Sequence, residues 1–362
     1  MKILLLGDMS PTSNNFELFD KMDTEKLFGD AISVFDGNDF NVLNLEVAIT
    51  EHDKGIEKFG PCLKSPLNTA QTLKKVGVTH CLLSNNHVFD FGKKGLLDTL
   101  DALDRAGIPY SGVGENYEDS RKNLILEKNG EKVCIIAVCE HEYSYALPDR
   151  MGARPYDVFD TPADVRDAKA KYDKVIVIYH GGKEHCRYPS PRLLKVCRHL
   201  ADSGANVVLC QHSHCVGCYE NYNGCHILYG QGNFHFAKNL VNLPSWTNGL
   251  AVTYDTETKE LSHTFCKMND FGGIELVKGD EKEQLEKEFA ERNELLKNGD
   301  WKAKWHEFCE EVAPNYINNF KEVFSTEDGW KNYNYVGHAL DCEAHHDVFV
   351  ELFPTANSTN EK

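Results

Sequence analysis

Runs of nearly continuous apolar residues alternate with helix-periodic segments over most of this sequence. This alternation constrains the fold more than any other feature, because apolar runs without a polar face are typical of strands buried on both sides. Strands that alternate with helices predict an α/β sheet. The predicted strands cover residues 2–8, 41–46, 80–84, 174–180, 206–212 and 225–232, and the predicted helices cover residues 67–76, 93–106, 161–172 and 190–203.

Two segments predict antiparallel hairpins, so the sheets should be mixed. Apolar runs flank Asn129-Gly130, which is a strong turn signal, and residues 249–268 carry a second pair of runs. After residue 278 the chain becomes charged and helix-periodic, with a break at Asn298-Gly299. We therefore expect an α/β domain over residues 1–277, a helical extension over 278–353 and a disordered tail over 354–362.

The chain of 362 residues carries a formal net charge of −17. This charge argues against nucleic acid and anionic membrane surfaces as partners, because both repel an acidic protein. No apolar stretch approaches the roughly 18 residues of a membrane span, and the N-terminal apolar run is too short for a signal peptide. We therefore expect a cytoplasmic protein without a membrane span.

The 13 cysteines form no regular framework, and their odd number argues against a complete set of disulfides. We expect buried free thiols in a reducing compartment. Cys215 and Cys218 have the spacing of a zinc or redox pair, but no second pair stands at a suitable distance. The sequence therefore favours packing over metal binding at these two residues.

Residues that commonly bind metals follow the predicted strands where the apolar runs stop. They are Asp8 after the first run, Asn44 and Glu46 after the second, Asn85, Asn86, His87 and Asp90 after the third, His180 and Glu184 after the fourth, and His212 and His214 after the fifth. In open α/β sheets the carboxyl ends of the strands form the crevice where ligands bind. These five strand ends should therefore converge on one site.

Imidazole and carboxylate groups suit zinc, iron, manganese or magnesium, so this set predicts one or two divalent ions at a hydrolytic site. Alternation along a strand would place His212 and His214 on one face. Each residue also has a structural interpretation, as a satisfied buried histidine, a helix cap or a turn residue. Glu46 or Asp8 could bridge two ions, and a neutral His87 could protonate a leaving group. The remaining residues would orient ligands or contact substrate; they are Asn44, Asn85, Asp90 and Glu184.

Six segments carry a resemblance to a known family: "GDM" (7–9), "NLEVAIT" (44–50), "SNNHVFDFG" (84–92), "HGGKEH" (180–185), "HSHCV" (212–216) and "YGQGNF" (229–234). In this order they resemble the CapA family of capsule or poly-γ-glutamate synthesis proteins, which is similar to the calcineurin-like metallophosphoesterases. The resemblance covers residues 2–255 and implies a four-layer αββα sandwich with a metal site at one edge. It also implies that His87 is a general acid and that the metal ligands are Asp8, Glu46, Asn86, His180, His212 and His214.

Three positions depart from the metallophosphoesterase pattern. Ser10 stands where that pattern has a histidine, Glu46 where it has an aspartate, and Gln211 where it has a glycine. One metal position is therefore short of a ligand, and we expect one tightly bound ion and one weakly bound ion.

The sequence leaves three functions open. The first is a phosphoesterase-type, metal-dependent hydrolase linked to capsule or poly-γ-glutamate metabolism, acting on a small-molecule or polymeric anionic substrate. The second is a non-catalytic component that binds an anionic polymer during its assembly, and the third is a metal-dependent γ-glutamyl amide hydrolase. A homodimer could form through an apolar stripe on one C-terminal helix, made of Trp301, Trp305, Phe308 and Val312.

Overall fold

The computed structural model describes residues 1–140, 143–236, 244–325 and 333–353, so the predicted tail over 354–362 lies outside the described residues. The strands are β1 (Lys2–Met9), β2 (Phe40–Leu45), β3 (Ala48–Ile49), β4 (Lys64–Ser65), β5 (His80–Leu82), β6 (Tyr110–Ser111), β7 (Val113–Gly114), β8 (Leu124–Lys128), β9 (Glu131–Cys139), β10 (Gly152–Ala153), β11 (Lys174–His180), β12 (Val207–Gln211), β13 (Tyr219–Tyr222), β14 (Cys225–Leu228), β15 (Asn233–His235), β16 (Asn248–Asp255), β17 (Leu261–Met268) and β18 (Ile274–Leu276).

The helices alternate with these strands over the first part of the chain and follow one another at its end. The α-helices are α1 (Phe16–Asp20), α2 (Thr24–Phe28), α3 (Thr69–Lys75), α4 (Gly92–Ala106), α5 (Tyr117–Ser120), α6 (Asp160–Lys171), α7 (Pro191–Asp202), α8 (Gly279–Asn298), α9 (Trp301–Ser325), α10 (Tyr333–Asp341) and α11 (Glu343–Leu352), and short 3₁₀ helices cover Gly29–Phe35 and Pro244–Thr247.

Two mixed sheets contain most of the strands. The first has the order β18-β17-β16-β1-β2-β5-β6, with β15 pairing the end of β1. The second has the order β13-β14-β12-β11-β9-β8. In each sheet the central strands run parallel, so their carboxyl ends lie at a common edge. This edge is where the candidate site residues follow the strands.

Apolar side chains of the central strands are divided between two cores. Ile3 of β1 packs between the sheets with Ile176 of β11. The next residue in each strand faces the opposite way: Leu4 packs with α1–α4, and Val177 packs with α6, α7 and the C-terminal helices. The strands are therefore buried on both faces, and the four layers are helices, sheet, sheet and helices. This confirms the predicted four-layer α/β sandwich.

The predicted strand over residues 225–232 is wrong in its C-terminal half. β14 ends at Leu228 in the second sheet, and β15 begins at Asn233 in the first sheet. Between them Gly232 has a φ of +72°, a left-handed conformation that glycine adopts at little cost. The chain therefore changes sheets here, and β15 lies beside the end of β1.

Both predicted hairpins are confirmed. β8 and β9 pair antiparallel around Asn129 and Gly130, which have φ values of +53° and +83°. β16 and β17 form the second hairpin. The predicted strand over 80–84 is shorter than expected, because β5 ends at Leu82 and the next residues turn towards the site.

The C-terminal helices pack on the outer side of the second sheet. The predicted break is confirmed at Gly299, which has a φ of +92° between α8 and α9. Trp301 and Trp305 are buried in the core of this side, and Phe308 and Val312 are half-buried against it. The predicted stripe thus packs within its own chain, and a homodimer remains a prediction. Within the described residues, none of the helices combines the length and apolar character that crossing a membrane requires.

Candidate metal centre

Asp8 lies at the carboxyl end of β1 and is completely buried. Its Oδ1 accepts a hydrogen bond of 2.7 Å from Nδ2 of Asn44, and its Oδ2 accepts one of 2.8 Å from the backbone N–H of His212. Burial raises the pKa of Asp8 to about 7, although these two hydrogen bonds oppose the rise. The fold therefore holds this carboxylate in place from both sheets.

A close backbone contact joins the first and last of the six segments that carry the resemblance. A Cβ on Gly7 would lie 2.3 Å from the backbone oxygen of Gly232, so only glycine fits there. The contact aligns Asp8 with Asn233 in the parallel pairing of β1 and β15. Oδ1 of Asn233 lies 2.9 Å from Nδ1 of His214 and so orients that ring.

Glu46 follows β2 and is completely buried. Neither of its carboxylate oxygens has a hydrogen-bond partner among the described residues. Burial, followed by repulsion from Asp8, raises the pKa of Glu46 well above its ordinary value. Because burying an unpaired carboxylate is costly, this residue indicates a site for a cation.

Three histidines surround the two carboxylates. His180 ends β11, with its Nε2 3.4 Å from Oε1 of Glu46 and its Nδ1 3.7 Å from Oδ1 of Asp8. The ring centroids of His180 and His212 are 5.0 Å apart, and those of His212 and His214 are 5.7 Å apart. Burial lowers the pKa values of all three rings, that of His214 to about 4. They are therefore neutral, which is the form that binds metals.

The predicted reason for the convergence of His212 and His214 is wrong. β12 ends at Gln211, so the two residues do not alternate along a strand. They lie in the following loop with φ values of +82° and +56°, in the left-handed region. For residues other than glycine this conformation costs about 1–3 kcal/mol, and such strain is concentrated at functional sites. Trp246 packs on the His214 ring at a centroid distance of 4.2 Å.

Glu46 belongs to two potential metal-binding groups. One group consists of Asp8, Glu46 and His180, and the other consists of Glu46, His212 and His214. Within each group the potential ligand atoms lie within 4.8 Å of one another. Asn86 joins the first group, because its Oδ1 lies 2.8 Å from Nε2 of His180. The oxygen and imidazole donors of these groups suit divalent cations.

Ser10 does not supply the missing ligand. It is buried, and its hydroxyl donates a hydrogen bond of 3.4 Å to the backbone oxygen of Pro11. The group that contains Asp8, Glu46 and His180 therefore has one imidazole fewer than the metallophosphoesterase pattern.

His87 lies beside this cluster in a charged hydrogen-bond network. Its Nδ1 is 2.6 Å from Oδ2 of Asp90, and Asp90 also pairs with Nζ of Lys58. Burial lowers the pKa of His87, although Asp90 opposes the shift. The ring is therefore neutral. Because Nδ1 contacts Asp90, Nε2 is the ring nitrogen that remains for other partners.

The remaining predicted residues support their neighbours. Nδ2 of Asn44 also lies 3.2 Å from Nδ1 of His180, and Asn85 donates to Oδ1 of Asn44 at 3.1 Å. Oδ1 of Asn85 accepts from the backbone N–H groups of His87 and Val88, which fixes the turn after β5.

A cavity of about 220 Å³ opens beside the cluster, and residues from both the α/β layers and the C-terminal helices line it. Its lining includes Lys58, His87, Lys183, Glu184, His212, His338 and His345. Burial raises the pKa of Glu184, but the combined effect of Lys183 and nearby histidines is larger and opposite. The net pKa of Glu184 is therefore well below its ordinary value. The cavity thus contains a carboxylate and several nitrogen groups.

Sequence reasoning missed five residues of this site. Lys58 lies outside all six quoted segments, and His338 and His345 lie in helices outside the resemblance. Lys183 lies in the "HGGKEH" segment but was not selected as a candidate. Asn233 could have been found, because it lies in the "YGQGNF" segment that carries the resemblance.

Fold and site together define a four-layer α/β protein with a buried cluster of carboxylates and imidazoles at the carboxyl edge of its sheets. The sequence model described as "Bacterial capsule synthesis protein PGA_cap" matches residues 2–238, and the chain belongs to this family. The predicted relationship to CapA proteins is thereby confirmed.

Curated relatives carry names from the same field. The chain is 26% identical over 245 residues to "Capsule biosynthesis protein CapA" of Bacillus anthracis, covering 65% of this chain and 60% of that protein. It is 29% identical over 222 residues to "Probable polyglutamine synthesis accessory protein" of Mycobacterium tuberculosis, covering 57% and 58%. The chain thus spans about three fifths of the length of these relatives.

Solved structures resemble this chain only with low TM-scores. A hypothetical protein from Thermus thermophilus matches with a TM-score of 0.45 and 15% identity, covering 73% of this chain and 98% of that one. The 5'-nucleotidase precursor from the same organism matches with a TM-score of 0.43 and 15% identity, covering 76% and 54%. At these scores the likeness says nothing about activity.

Proposed function

We propose that this protein is a metal-dependent hydrolase of the phosphoesterase type. The observation that carries the proposal is Glu46, a buried carboxylate that has no hydrogen bond among the described residues and is shared by two potential ligand groups. Asp8, Asn86, His180, His212 and His214 would hold the ions together with Glu46. Bound divalent ions would supply Lewis acidity, which lowers the pKa of water and offsets charge on a phosphoryl group.

His87 has the position of a general acid. It lines the cavity, and its Nδ1 donates to Asp90, so the neutral ring has no proton on Nε2. The imidazolium form, which Asp90 favours, would give its Nε2 proton to a leaving oxygen. Lys58 pairs with Asp90 and lies 3.4 Å from Nδ1 of His87. Burial raises the pKa of Asp90, but His87 and then Lys58 lower it by more, so the net pKa is below its ordinary value. Lys58 and Asp90 therefore hold the acid in one orientation.

The cavity favours an anionic substrate. Lys58 and Lys183 lie on its lining, and the backbone oxygen of Asn86 is 3.4 Å from Nζ of Lys58. The names of the relatives suggest such a substrate in capsule or poly-γ-glutamate metabolism, as a small molecule or a polymer.

A second candidate is a non-catalytic component that binds an anionic polymer. Ser10 favours it, because the centre lacks one imidazole of the metallophosphoesterase pattern and a weakly held ion would support binding better than turnover. An amide hydrolase that cleaves γ-glutamyl bonds would use the same groups.

A substrate panel separates these functions. Metal-depleted protein is reloaded with manganese, zinc, iron or magnesium and assayed with p-nitrophenyl phosphate, bis(p-nitrophenyl) phosphate and γ-glutamyl p-nitroanilide. We expect turnover of a phosphoester that needs metal and is lost in His212→Ala/His214→Ala. The matched control is His199→Ala, which removes an exposed histidine. Metal-loaded protein that turns over none of the three would overturn the proposal in favour of binding, and turnover of the anilide alone would favour the amidase.

A further inference from the structure

We propose that the C-terminal helices contain a separate metal site, formed by His338, Cys342 and His345, for an ion of the zinc type. The potential ligand atoms of these three residues lie within 4.8 Å of one another. None of them belongs to the centre at the strand ends, so this site does not depend on the proposed hydrolase activity.

The junction of two helices brings the three residues together. His338 lies in the last turn of α10, Cys342 is the residue between the helices, and His345 lies in the first turn of α11. Three residues separate His338 from Cys342 and two separate Cys342 from His345, so all three side chains come from one bend of the chain. The ring centroids of His338 and His345 are 4.5 Å apart.

Neighbouring side chains orient both rings. The hydroxyl of Tyr316 lies 2.6 Å from Nδ1 of His345, which leaves Nε2 as the nitrogen for a metal. Such a second hydrogen bond is the usual companion of a metal-binding imidazole. The His338 ring stacks on Tyr143 at 5.6 Å and on Phe59 at 5.8 Å. The rings are therefore held in place from α9 and from two loops.

Two imidazoles and one thiolate form a ligand set that zinc prefers. Cys342 is buried, so its thiol is removed from competing ligands in solution. Three protein ligands leave a tetrahedral ion one further position, as in zinc sites that bind water or substrate. Because His338 and His345 line the same cavity as His87 and His212, an ion here would add positive charge to the cavity wall.

Cobalt substitution tests this site directly. Metal-depleted full-length protein is loaded with Co²⁺, and we expect a thiolate-to-cobalt charge-transfer absorption in the near ultraviolet. The centre at the strand ends contains no cysteine among its proposed ligands, so it cannot produce this absorption. Cys342→Ser should abolish the band and lose about one equivalent of zinc per chain by plasma mass spectrometry.

Two control variants should keep both the band and the zinc. Cys309→Ser removes a buried thiol of α9, and Cys62→Ser removes the half-buried thiol outside these helices. His212→Ala/His214→Ala should also keep the band. If Cys342→Ser does not fold, His338→Ala is used in its place. We expect this variant to bind cobalt at least tenfold more weakly, as measured by titration of the absorption band. Cobalt-loaded wild-type protein without the band, or a band that survives in Cys342→Ser, would overturn the proposal and leave His338 and His345 as packing residues.

Discussion

Replacing Glu46 should abolish metal binding without lowering the stability of the metal-free protein. Its buried oxygens have no hydrogen-bond partner in the described part of the chain, and burial keeps its pKa high when no cation is bound. We expect Glu46→Gln to unfold, without metal, at no lower temperature than the wild type. Its gain in melting temperature on adding Mn²⁺ should be lost, as measured by differential scanning calorimetry. A full gain in Glu46→Gln would contradict the role of Glu46 as a ligand.

His87 should matter most when the leaving group is poor. We expect His87→Ala to lower kcat by about 10²–10⁴-fold with phenyl phosphate, because a general acid contributes roughly this factor. The loss should be much smaller with p-nitrophenyl phosphate, whose leaving oxygen needs less protonation. Metal content should stay unchanged. Equal losses with both substrates, or loss of metal, would argue against the assigned role.

His235 predicts a dependence of stability on pH. It is completely buried between Phe19 and Phe28, and burial lowers its pKa to about 4. Because its folded pKa lies below the unfolded value of about 6.5, its contribution is complete above pH 6.5 and is lost as the pH falls towards 4. The loss amounts to about 2–3 kcal/mol at pH 4.5.

His235→Phe keeps an aromatic ring at this position but removes the group that can be protonated. Urea unfolding at pH 7 and pH 4.5 should therefore show a smaller loss of stability on acidification in this variant than in the wild type. His199→Phe, at an exposed position, should behave like the wild type. An unchanged loss in His235→Phe would show that folding does not lower the pKa of this ring.

At the scale of elements, α11 is anchored to the α/β layers by Asp347. This buried carboxylate accepts a hydrogen bond of 2.6 Å from the hydroxyl of Ser190 and pairs with Arg192 at 2.9 Å. Arg192 also contacts Glu140 at 2.8 Å, so the network links α7, the end of β9 and α11. The cavity wall formed by α10 and α11 depends on this anchor.

Asp347→Ala should loosen these helices without unfolding the sheets. Removing one member of a buried pair leaves the other uncompensated and typically costs about 3–5 kcal/mol, less here because Arg192 keeps Glu140. We expect faster hydrogen exchange in residues 333–352 and unchanged exchange in β1 and β11. Asp341→Ala, at an exposed position of α10, is the control. Equal exchange in both variants would show that α11 is held by apolar packing alone.

The elements that could be predicted are those with an unambiguous physical pattern. β1, β11 and β12 are buried on both faces, so their sequences are uninterrupted apolar runs. The end of β14 could not be predicted, because the glycines after it can continue a strand or leave it. Here they lead the chain into the other sheet.

At the scale of the whole molecule, the predicted candidate ligands converge because parallel strands end at one edge. Asp8, Glu46 and His180 were predicted from this rule alone and lie together. Lys58, His338 and His345 could not be predicted, because they reach the site through loop and helix packing that leaves no periodic signal. The resemblance ends before residue 278, so it gave no information on the cavity wall formed by α10 and α11.

The central claim is that the carboxylate–imidazole cluster binds divalent ions. Plasma mass spectrometry of untagged protein, reloaded with Mn²⁺ or Zn²⁺, tests this claim by comparing the metal content of the wild type with that of His212→Ala/His214→Ala. Cys342→Ser is measured in parallel, so that metal bound by His338, Cys342 and His345 can be told apart from metal bound at the strand ends. We expect the double variant to lose one or two equivalents that Cys342→Ser retains. Equal metal content in the wild type and the folded double variant would contradict the claim and leave these histidines as structural residues.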